Sequence, residues 1–578
     1  MRRFISGILL FTMLAPISLL AQDAKPTKKK AAKKATVNVE QQLDQFQDAL
    51  KQQQSQIQQQ QSQIQQLQQQ LQQSNALIQQ QSTQLQTSVQ AASQQAAAAQ
   101  QAASNLSASV ADLKAGDATL VQTVQADQKT VKDLENPTAL HFRGVTITPG
   151  GWAESTFLFR TRNENADITS NFGATPFGGS ANDKLTEFRG SARGTRLTML
   201  VEGNTGTTKL SGYYEIDFLG QAPTGNQVET NSFVPRQRQL WMQAEMSNGW
   251  TFTAGQFWSG MTTDRKGIAT RAEFIPTTIE GSYIIGYTYV RQDAVRAVRN
   301  FNNKAWWLFE VANPETSQPN SSYTPAGLLG FNNSSNASTP NGSTLNYLAG
   351  STNGFSTNLA PDLISKVVFE PGWGHFEIKA LGRAFRDRIN GGTLHSYGGG
   401  IGASAILPII PKKADFILEG LAGAGIGRYG AANGPDVTIR PDGKIVPLRA
   451  IHVLTGLETH PTTKLDWYVY GGDEYFGRRA FVNPTNALGA AGYGSSLVNN
   501  SDCGLEVIPE GQPACGAQNR NAFDVSTGFW YRIYKGSFGT LQYGMQYAYM
   551  YRATWSGIAG APKGIDNVVD SSFRLYLP

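Results

Sequence analysis

The chain has 578 residues, 10% of them aromatic, with a formal net charge of +6 and a sequence pI near 9.0. Eight of the basic residues lie in the first 34 positions, so the positive charge belongs to one end of the chain and does not indicate a nucleic-acid partner. After Leu20 the sequence has no uninterrupted apolar run of the roughly 20 residues that a membrane helix needs, so any later membrane crossing must use β-strands.

The N-terminus has the features of a secretory signal peptide. Arg2 and Arg3 precede an apolar run that ends at Leu20, and the pattern predicts a signal peptide over residues 1–21. A Lys-rich segment over 22–37 follows, and its composition is typical of disorder. Its lysines could contact peptidoglycan, an anionic polymer of the cell envelope: Lys25, Lys28, Lys29, Lys30, Lys33 and Lys34.

A Gln-rich segment over 38–136 predicts a long α-helical coiled coil. Twelve apolar residues recur at a spacing of seven, which places one apolar stripe along a supercoiled helix. These are Leu43, Leu50, Ile57, Ile64, Leu71, Ile78, Leu85, Ala92, Ala99, Leu106, Leu113 and Leu120. Pro137 ends the helix, because proline cannot continue it. The oligomer number stays open.

Residues 142–578 predict an all-β transmembrane barrel. Thr208 to Phe218 alternates polar and apolar residues over eleven positions, and similar alternation recurs around Leu197, Ile378 and Tyr547. Short turns alternate with long connections, as in outer-membrane barrels. Seven turns and eight loops give 16 antiparallel strands, with 18 as the alternative. That count treats Tyr283 to Phe301 as one strand.

The sequence offers little for catalysis. Its five histidines show no metal-ligand spacing and no nucleophile motif accompanies them, so we predict no enzyme activity, no metal site and no cofactor. Cys503 and Cys515 lie in one segment rich in Gly, Asn and Pro, and in an oxidising compartment they are expected to form a local disulfide.

Charged residues inside the alternating strands should face a wet lumen, because a Lys or Arg facing lipid at the bilayer midplane costs roughly 2–4 kcal/mol. From the parity of the strands, the predicted lumen set is Glu154, Arg160, Arg196, Glu202, Lys209, Glu215, Asp217, Glu377, Lys379, Arg383, Asp524 and Arg532. The third long loop, 259–284, could fold inward and narrow the pore. Its charged residues are Asp264, Arg265, Lys266, Arg271 and Glu273.

Three stretches carry a family resemblance. Tyr214 to Gly220 reads YEIDFLG, Arg236 to Trp241 reads RQRQLW, and Ala254 to Ser259 reads AGQFWS. In this order they look like the early barrel strands of the DcaP-like porin family, and the order of signal peptide, coiled coil and barrel matches as well. The motif match covers about residues 196–264.

The resemblance implies a homotrimer of sixteen-stranded barrels in the outer membrane of a Gram-negative bacterium, with channel arginines that favour small anions such as dicarboxylates. Carried over by position, it points to Arg196, Arg236, Arg238 and Gln256. Arg236 and Arg238 share parity with Leu240, so they face the lumen only if a bulge intervenes. The chain also ends in Leu577 and Pro578, whereas such barrels commonly end in an aromatic residue.

The expected function is therefore a passive porin for small hydrophilic solutes with a preference for anions, held among outer-membrane lipid, with the coiled coil in the periplasm. The alternative is a structural tether, in which the coiled coil and Lys-rich segment contact peptidoglycan and the barrel is an anchor. A trimeric adhesin is disfavoured because one chain supplies enough strands for its own barrel. An outer-membrane hydrolase lacks a nucleophile and a base.

Overall fold

The computed structural model describes residues 139–220, 234–317, 358–483, 489–510 and 515–577, together with nine helical residues between 107 and 124. The predicted signal peptide and Lys-rich segment, and most of the predicted coiled coil, lie outside the described residues. The tether hypothesis depends on those segments and stays a prediction. No helix among the described residues is long and apolar enough to cross a membrane.

The described chain is dominated by β-strands. In chain order they are β1 Leu140–Phe142, β2 Val145–Arg160, β3 Glu187–Ser191, β4 Arg196–Thr205, β5 Thr208–Asp217, β6 Arg236–Met246, β7 Trp250–Trp258, β8 Arg291–Phe301, β9 Ala305–Ala312, β10 Asp362–Phe369, β11 His375–Ile389, β12 Gly392–Ile410, β13 Ala414–Ala424, β14 Val437–Ile439, β15 Ile445–Pro447, β16 Arg449–Thr459, β17 Leu465–Phe476, β18 Arg479–Val482, β19 Ala490–Tyr493, β20 Asn519–Gly536, β21 Gly539–Thr554 and β22 Lys563–Tyr576. Three short 3₁₀ helices span Ala181–Lys184, Gly427–Tyr429 and Ser501–Gly504.

Sixteen antiparallel strands form a closed barrel, as predicted. The main sheet has 18 strand segments, but β1 is a short extension beside the start of β2, and β3 and β4 are two parts of one strand that both pair with β2. Each following barrel strand pairs with the next, and β22 pairs with β2 to close the sheet. The remaining segments form two small hairpins, β14 with β15 and β18 with β19.

Seven short turns at one end of the barrel alternate with eight connections at the other end, most of them long. The seven short turns are 206–207, 247–249, 302–304, 370–374, 411–413, 460–464 and 537–538. The eight connections at the other end are 161–186, 218–235, 259–290, 313–361, 390–391, 425–448, 477–518 and 555–562. The shortest of these is an Asn390-Gly391 turn in which both residues have positive φ, a conformation that this dipeptide adopts readily.

The expected strand from Tyr283 to Phe301 is wrong in its first part. Strand β8 begins at Arg291, and residues 283–290 belong to the preceding loop. Tyr283, Ile284 and Tyr287 are all buried although they do not alternate, because they pack inside the barrel in a cluster of aromatic rings. An apolar run that is buried on every side does not show the period-two pattern of a barrel strand.

The wall has two chemically different faces. Large apolar side chains are exposed on the outside, for example Leu197, Tyr214, Met242, Ile378 and Leu418. Their strand neighbours are buried and carry charges or amides, for example Glu215, Lys379 and Glu419. An apolar exterior and a polar interior are the pattern of a barrel that spans a bilayer.

Candidate functional site: a loop-crossed lumen

The connection between β7 and β8, residues 259–290, folds into the barrel, and we call it the inner loop. On one side of the lumen its first part contacts inward-facing carboxylates. The Thr263 hydroxyl donates to Glu419 on β13 over 2.6 Å, and the Asp264 backbone N–H donates to Glu377 on β11 over 2.7 Å. Arg265 binds both carboxylate oxygens of Glu458 on β16, each over 2.8 Å.

The later part of the inner loop reaches the opposite wall. The carbonyl of Thr277 accepts a hydrogen bond from the Trp530 indole on β20 over 2.8 Å. The Ile279 N–H donates to Gln546 on β21 over 2.8 Å, and the Tyr283 hydroxyl accepts from Arg238 on β6 over 2.9 Å. Contacts to walls on both sides show that the inner loop crosses the lumen and divides it.

A cavity of about 640 Å³ lies between inner-loop residues 275–283 and the barrel wall. It opens beside strands β2, β4, β6, β17, β20, β21 and β22. The charged residues that line it are Arg196, Arg238, Arg532, Arg574, Glu154, Glu280 and Asp466. Four guanidinium groups and three carboxylates therefore surround a space large enough for a small hydrophilic solute.

A β-bulge brings Arg238 into the lumen. Glu215 pairs with Gln239, and the next residue, Ile216, pairs with Gln237, so Arg238 is the extra residue of β6. Arg238 is 1% exposed, while Leu240, two residues later, is 49% exposed on the outer face. Without a bulge, Arg236 and Arg238 would lie on the same outer face as Leu240. The extra residue shifts the alternation of β6, so both arginines lie on the inner face.

Two carboxylates neutralise the arginines at this bulge. Arg238 donates to Glu215 over 2.6 Å and to Asp217 over 2.7 Å, and Arg236 donates to Asp217 over 2.7 Å. Both carboxylates are buried. Charge-assisted hydrogen bonds of this kind hold the guanidinium groups in fixed positions at the edge of the lumen.

Arg196 is the cavity arginine with the longest ion pair. Its Nη1 atom lies 3.6 Å from Glu215, and its guanidinium stacks over the Trp152 ring at 4.2 Å from the centroid. Arg532 and Arg574, by contrast, bind Asp466 and Glu154 closely, the latter pair at 2.7 Å. The positive charge of Arg196 is thus the least compensated of the four.

Other predicted lumen residues lie away from this cavity. Arg160 and Arg383 are buried beneath the long loops, where Arg160 contacts Glu187 over 3.0 Å and Arg383 contacts Asp436 over 2.8 Å. Lys209 lies at the short-turn end, paired with Glu202 over 2.6 Å. Three more face the interior as buried groups: Glu377, Lys379 and Asp524.

Gln256 was predicted to line the channel, and the structure corrects this. Gln256 lies directly opposite the outward-facing Leu240, and opposed residues of an antiparallel pair point to the same face. Its amide donates to the backbone carbonyls of Gln237 and Arg238. The family resemblance pointed to Gln256 by its position in the motif, but a motif match does not show to which side of the wall a side chain points.

The five charged candidates of the inner loop divide into two groups. Asp264 is buried against Lys366 at 2.5 Å, and Arg265 is held by Glu458. Glu273 pairs with Asp264 in an isolated β-bridge. Lys266 and Arg271 are exposed, and the Arg271 guanidinium lies 5.1 Å from the Tyr213 ring centroid. The first group fixes the loop, and the second leaves its charges exposed.

Two arginines were not among the predicted residues, and of these Arg574 lines the cavity. Arg574 lies on the last strand. It could have been found from the sequence, because Asp570, Ser572 and Arg574 are the polar residues of that strand's alternating pattern and polar positions are expected to face inward. Arg291 begins β8 beside Trp258 and carries a buried Nη1 atom without a hydrogen-bond partner among the described residues. The residues around Arg291 follow an ordinary strand pattern in the sequence, so no sequence signal marked Arg291 as a candidate.

Cys503 and Cys515 form a disulfide in the loop between β17 and β20. The bond joins two positions that are 12 apart in the sequence, at the long-loop end of the barrel. Neither cysteine lines the cavity.

No protein-family model and no curated protein matches the chain. Among solved structures, the outer membrane channel DcaP of Acinetobacter baumannii superposes with a TM-score of 0.51 at 15% identity, over 76% of this chain and 99% of that one. The fold is that of the DcaP channel. The likeness at this identity concerns the fold of the barrel.

Two other solved structures are similar at lower scores. The anion-selective porin from Comamonas acidovorans has a TM-score of 0.40 at 10% identity, over 75% of this chain and 100% of that one. Salmonella typhi OmpF in complex with daunomycin has a TM-score of 0.38 at 9% identity, over 76% of this chain and 100% of that one.

Proposed function

We propose that this protein is an outer-membrane diffusion channel that prefers small anions. The observation that carries the proposal is the cavity beside the inner loop, which four arginines and three carboxylates line. The guanidinium of Arg196, the least compensated of these charges, would raise the local concentration of anions in a water-filled lumen and lower that of cations. The fold shared with the DcaP channel supports a role in passage across the outer membrane.

The mechanism needs no moving part and no cofactor. The inner loop fixes the size of the passage, because its ends and its middle are hydrogen-bonded to the wall. Arg196 and Arg532 then act on a passing solute mainly through charge, and dicarboxylates of suitable size would interact with more than one guanidinium at once. Solutes leave readily because each arginine also has a carboxylate partner in the wall.

Reversal potential tests the proposal directly. The full chain, purified from outer membranes, would be inserted into a planar bilayer with a tenfold KCl gradient across it. The sign of the reversal potential is expected to show that chloride is more permeant than potassium. The opposite sign would contradict the anion preference. Absence of any conductance from folded protein would contradict the channel itself.

We also propose a homotrimeric assembly, which the family resemblance implies. The barrel would sit among outer-membrane lipids through its apolar exterior. Light scattering of the detergent-solubilised protein, corrected for bound detergent, should give three times the mass of the mature chain. A monomeric mass at all detergent concentrations would refute the trimer without affecting the channel.

A further inference from the structure

Three potential metal ligands meet at the short-turn end of the barrel. Asp415 is the second residue of β13 and lies directly opposite Glu458 on β16, so both side chains point to the same face. His460 follows the end of β16, where its backbone N–H donates to the Lys413 carbonyl over 2.7 Å. One ligand atom from each of the three side chains lies within 4.8 Å of the others.

The charges of this group are incompletely matched by the protein. Carboxylates directly opposite each other on an antiparallel pair repel. Glu458 is compensated, because Arg265 binds both of its oxygens and the Tyr470 hydroxyl donates to it. Asp415 has neither an ion pair nor a side-chain hydrogen bond in the described part of the chain. A cation bound between the two carboxylates would remove this repulsion.

His460 is oriented in the way that metal-binding histidines are. Its Nδ1 atom lies 2.6 Å from the Asp466 carboxylate. A hydrogen bond from one ring nitrogen to a carboxylate fixes the ring and makes the other nitrogen a better ligand. The Nε2 atom has no hydrogen-bond partner in the described part of the chain, and the side chain of His460 is 37% exposed, which gives an ion access.

We propose that Asp415, Glu458 and His460 bind a divalent first-row transition metal ion. Imidazole together with carboxylate oxygens suits such ions, and Zn²⁺ accepts this ligand set with water at the remaining position. Glu458 contributes one oxygen and keeps its contact with Arg265 through the other. Ca²⁺ takes oxygen ligands, so the ring nitrogen of His460 makes this donor set a poor match for Ca²⁺.

The position of the ion would connect it to the channel. Asp466, which orients His460, also binds Arg532 at the cavity, and Arg265 belongs to the inner loop. A bound divalent cation therefore adds positive charge next to the lumen. It also shares Glu458 with Arg265, which holds the inner loop to the wall. This inference concerns binding and does not depend on the channel function, so the two can fail separately.

The test is Zn²⁺ binding to the full-length folded protein after treatment with EDTA, measured by isothermal titration calorimetry. Co²⁺ in place of Zn²⁺ provides an absorption spectrum that reports nitrogen and oxygen ligands. His460→Gln and Asp415→Asn should each weaken binding by about tenfold or more, and Asp466→Asn by about 10–100-fold through loss of the oriented ring.

Matched controls exclude general surface binding. His395→Gln removes an exposed histidine on β12, and Asp442→Asn removes an exposed carboxylate in the loop after β13. Both should bind Zn²⁺ as the unaltered protein does. Binding that persists unchanged in folded His460→Gln, or that no version of the protein shows, would overturn the proposal. Equal weakening in the His395→Gln control would overturn it as well.

Discussion

Arg238 and Asp217 form a buried ion pair across β5 and β6, with Arg238 Nη1 2.7 Å from Asp217 Oδ2. The pair exists because one extra residue in β6 turns Arg238 from the lipid face to the lumen. A single local irregularity of the strand thus decides whether this arginine faces outward or into the lumen.

Replacing Arg238 by Met should destabilise the barrel. The substitution leaves Glu215 and Asp217 buried with fewer partners, and breaking a buried pair from one side typically costs about 3–5 kcal/mol. Guanidinium unfolding in detergent, followed by tryptophan fluorescence, measures the loss. Arg440→Met is the matched control, because the Arg440 and Asp442 pair is exposed and should contribute about 0–1 kcal/mol. Equal losses in the two variants would disprove the role of burial.

Replacing Arg196 by Gln should reduce the proposed anion preference without preventing insertion. Arg196 lines the cavity, and Glu215 keeps Arg238 as its partner when Arg196 loses its charge. The reversal potential under a KCl gradient should move toward zero, because one of four lining guanidinium groups is lost. Arg388→Gln removes an exposed arginine of β11 outside the cavity and should leave the potential unchanged. An unaltered potential in Arg196→Gln would exclude Arg196 from selectivity.

Replacing Lys366 by Met should loosen the inner loop. Lys366 donates to the Thr262 carbonyl over 2.8 Å and to Asp264 over 2.5 Å, so its loss leaves two loop acceptors and the wall residue Glu377 without that donor. Single-channel recordings should show a larger mean conductance and more frequent steps between levels. Lys304→Met, in an exposed turn, is the control. Traces identical to those of the unaltered protein would mean that Lys366 does not hold the loop.

Glu164, in the loop after β2, should make stability depend on pH. Burial raises the pKa of its carboxyl to about 7, and the nearby Asp566 carboxylate adds to the effect against the opposing charge of Arg160. Between its ordinary pKa of 4.5 and about 7, the folded protein keeps this proton and the unfolded chain has lost it. The free energy of unfolding contributed by Glu164 therefore falls as the pH rises through that interval.

Glu164→Gln should flatten this part of the pH profile, since glutamine does not titrate. Denaturant unfolding at intervals from pH 4 to 8 measures the difference, which is of order 3 kcal/mol between the ends for a shift of this size. Glu506→Gln, at an exposed loop position, should keep the original slope. If both variants retain the slope of the unaltered protein, another group is responsible for it.

The barrel could be predicted in detail because its wall follows one simple rule. Period-two alternation and the count of turns gave sixteen strands, and the structure has sixteen strands joined by seven short turns and eight other connections. The rule holds because every strand has one face toward lipid and one toward a polar interior. The aromatic stretch from Tyr283 to Tyr289 fell outside the rule, because it is buried inside the lumen by other parts of the same chain.

The site was predicted less completely for the same reason. Parity identified inward-facing charges such as Arg196 and Glu215, but it could not show which of them the loops bury. Arg160 and Arg383 have the correct parity and are nevertheless enclosed in ion pairs. The bulge at Arg238 and the outward direction of Gln256 depend on pairing between strands, which a single sequence does not reveal.

The contacts of the inner loop also constrain the order in which the barrel can be completed. Ile279 of the loop is bound by Gln546 on β21, the strand before last, and Trp530 on β20 holds Thr277. The strands that receive the loop are therefore among the last that the ribosome makes. The loop must wait, with its apolar side chains unburied, until the C-terminal strands arrive, and closure of β22 onto β2 then encloses it. A shortened chain that lacks β20 and β21 would leave Thr277 and Ile279 of the loop without these partners.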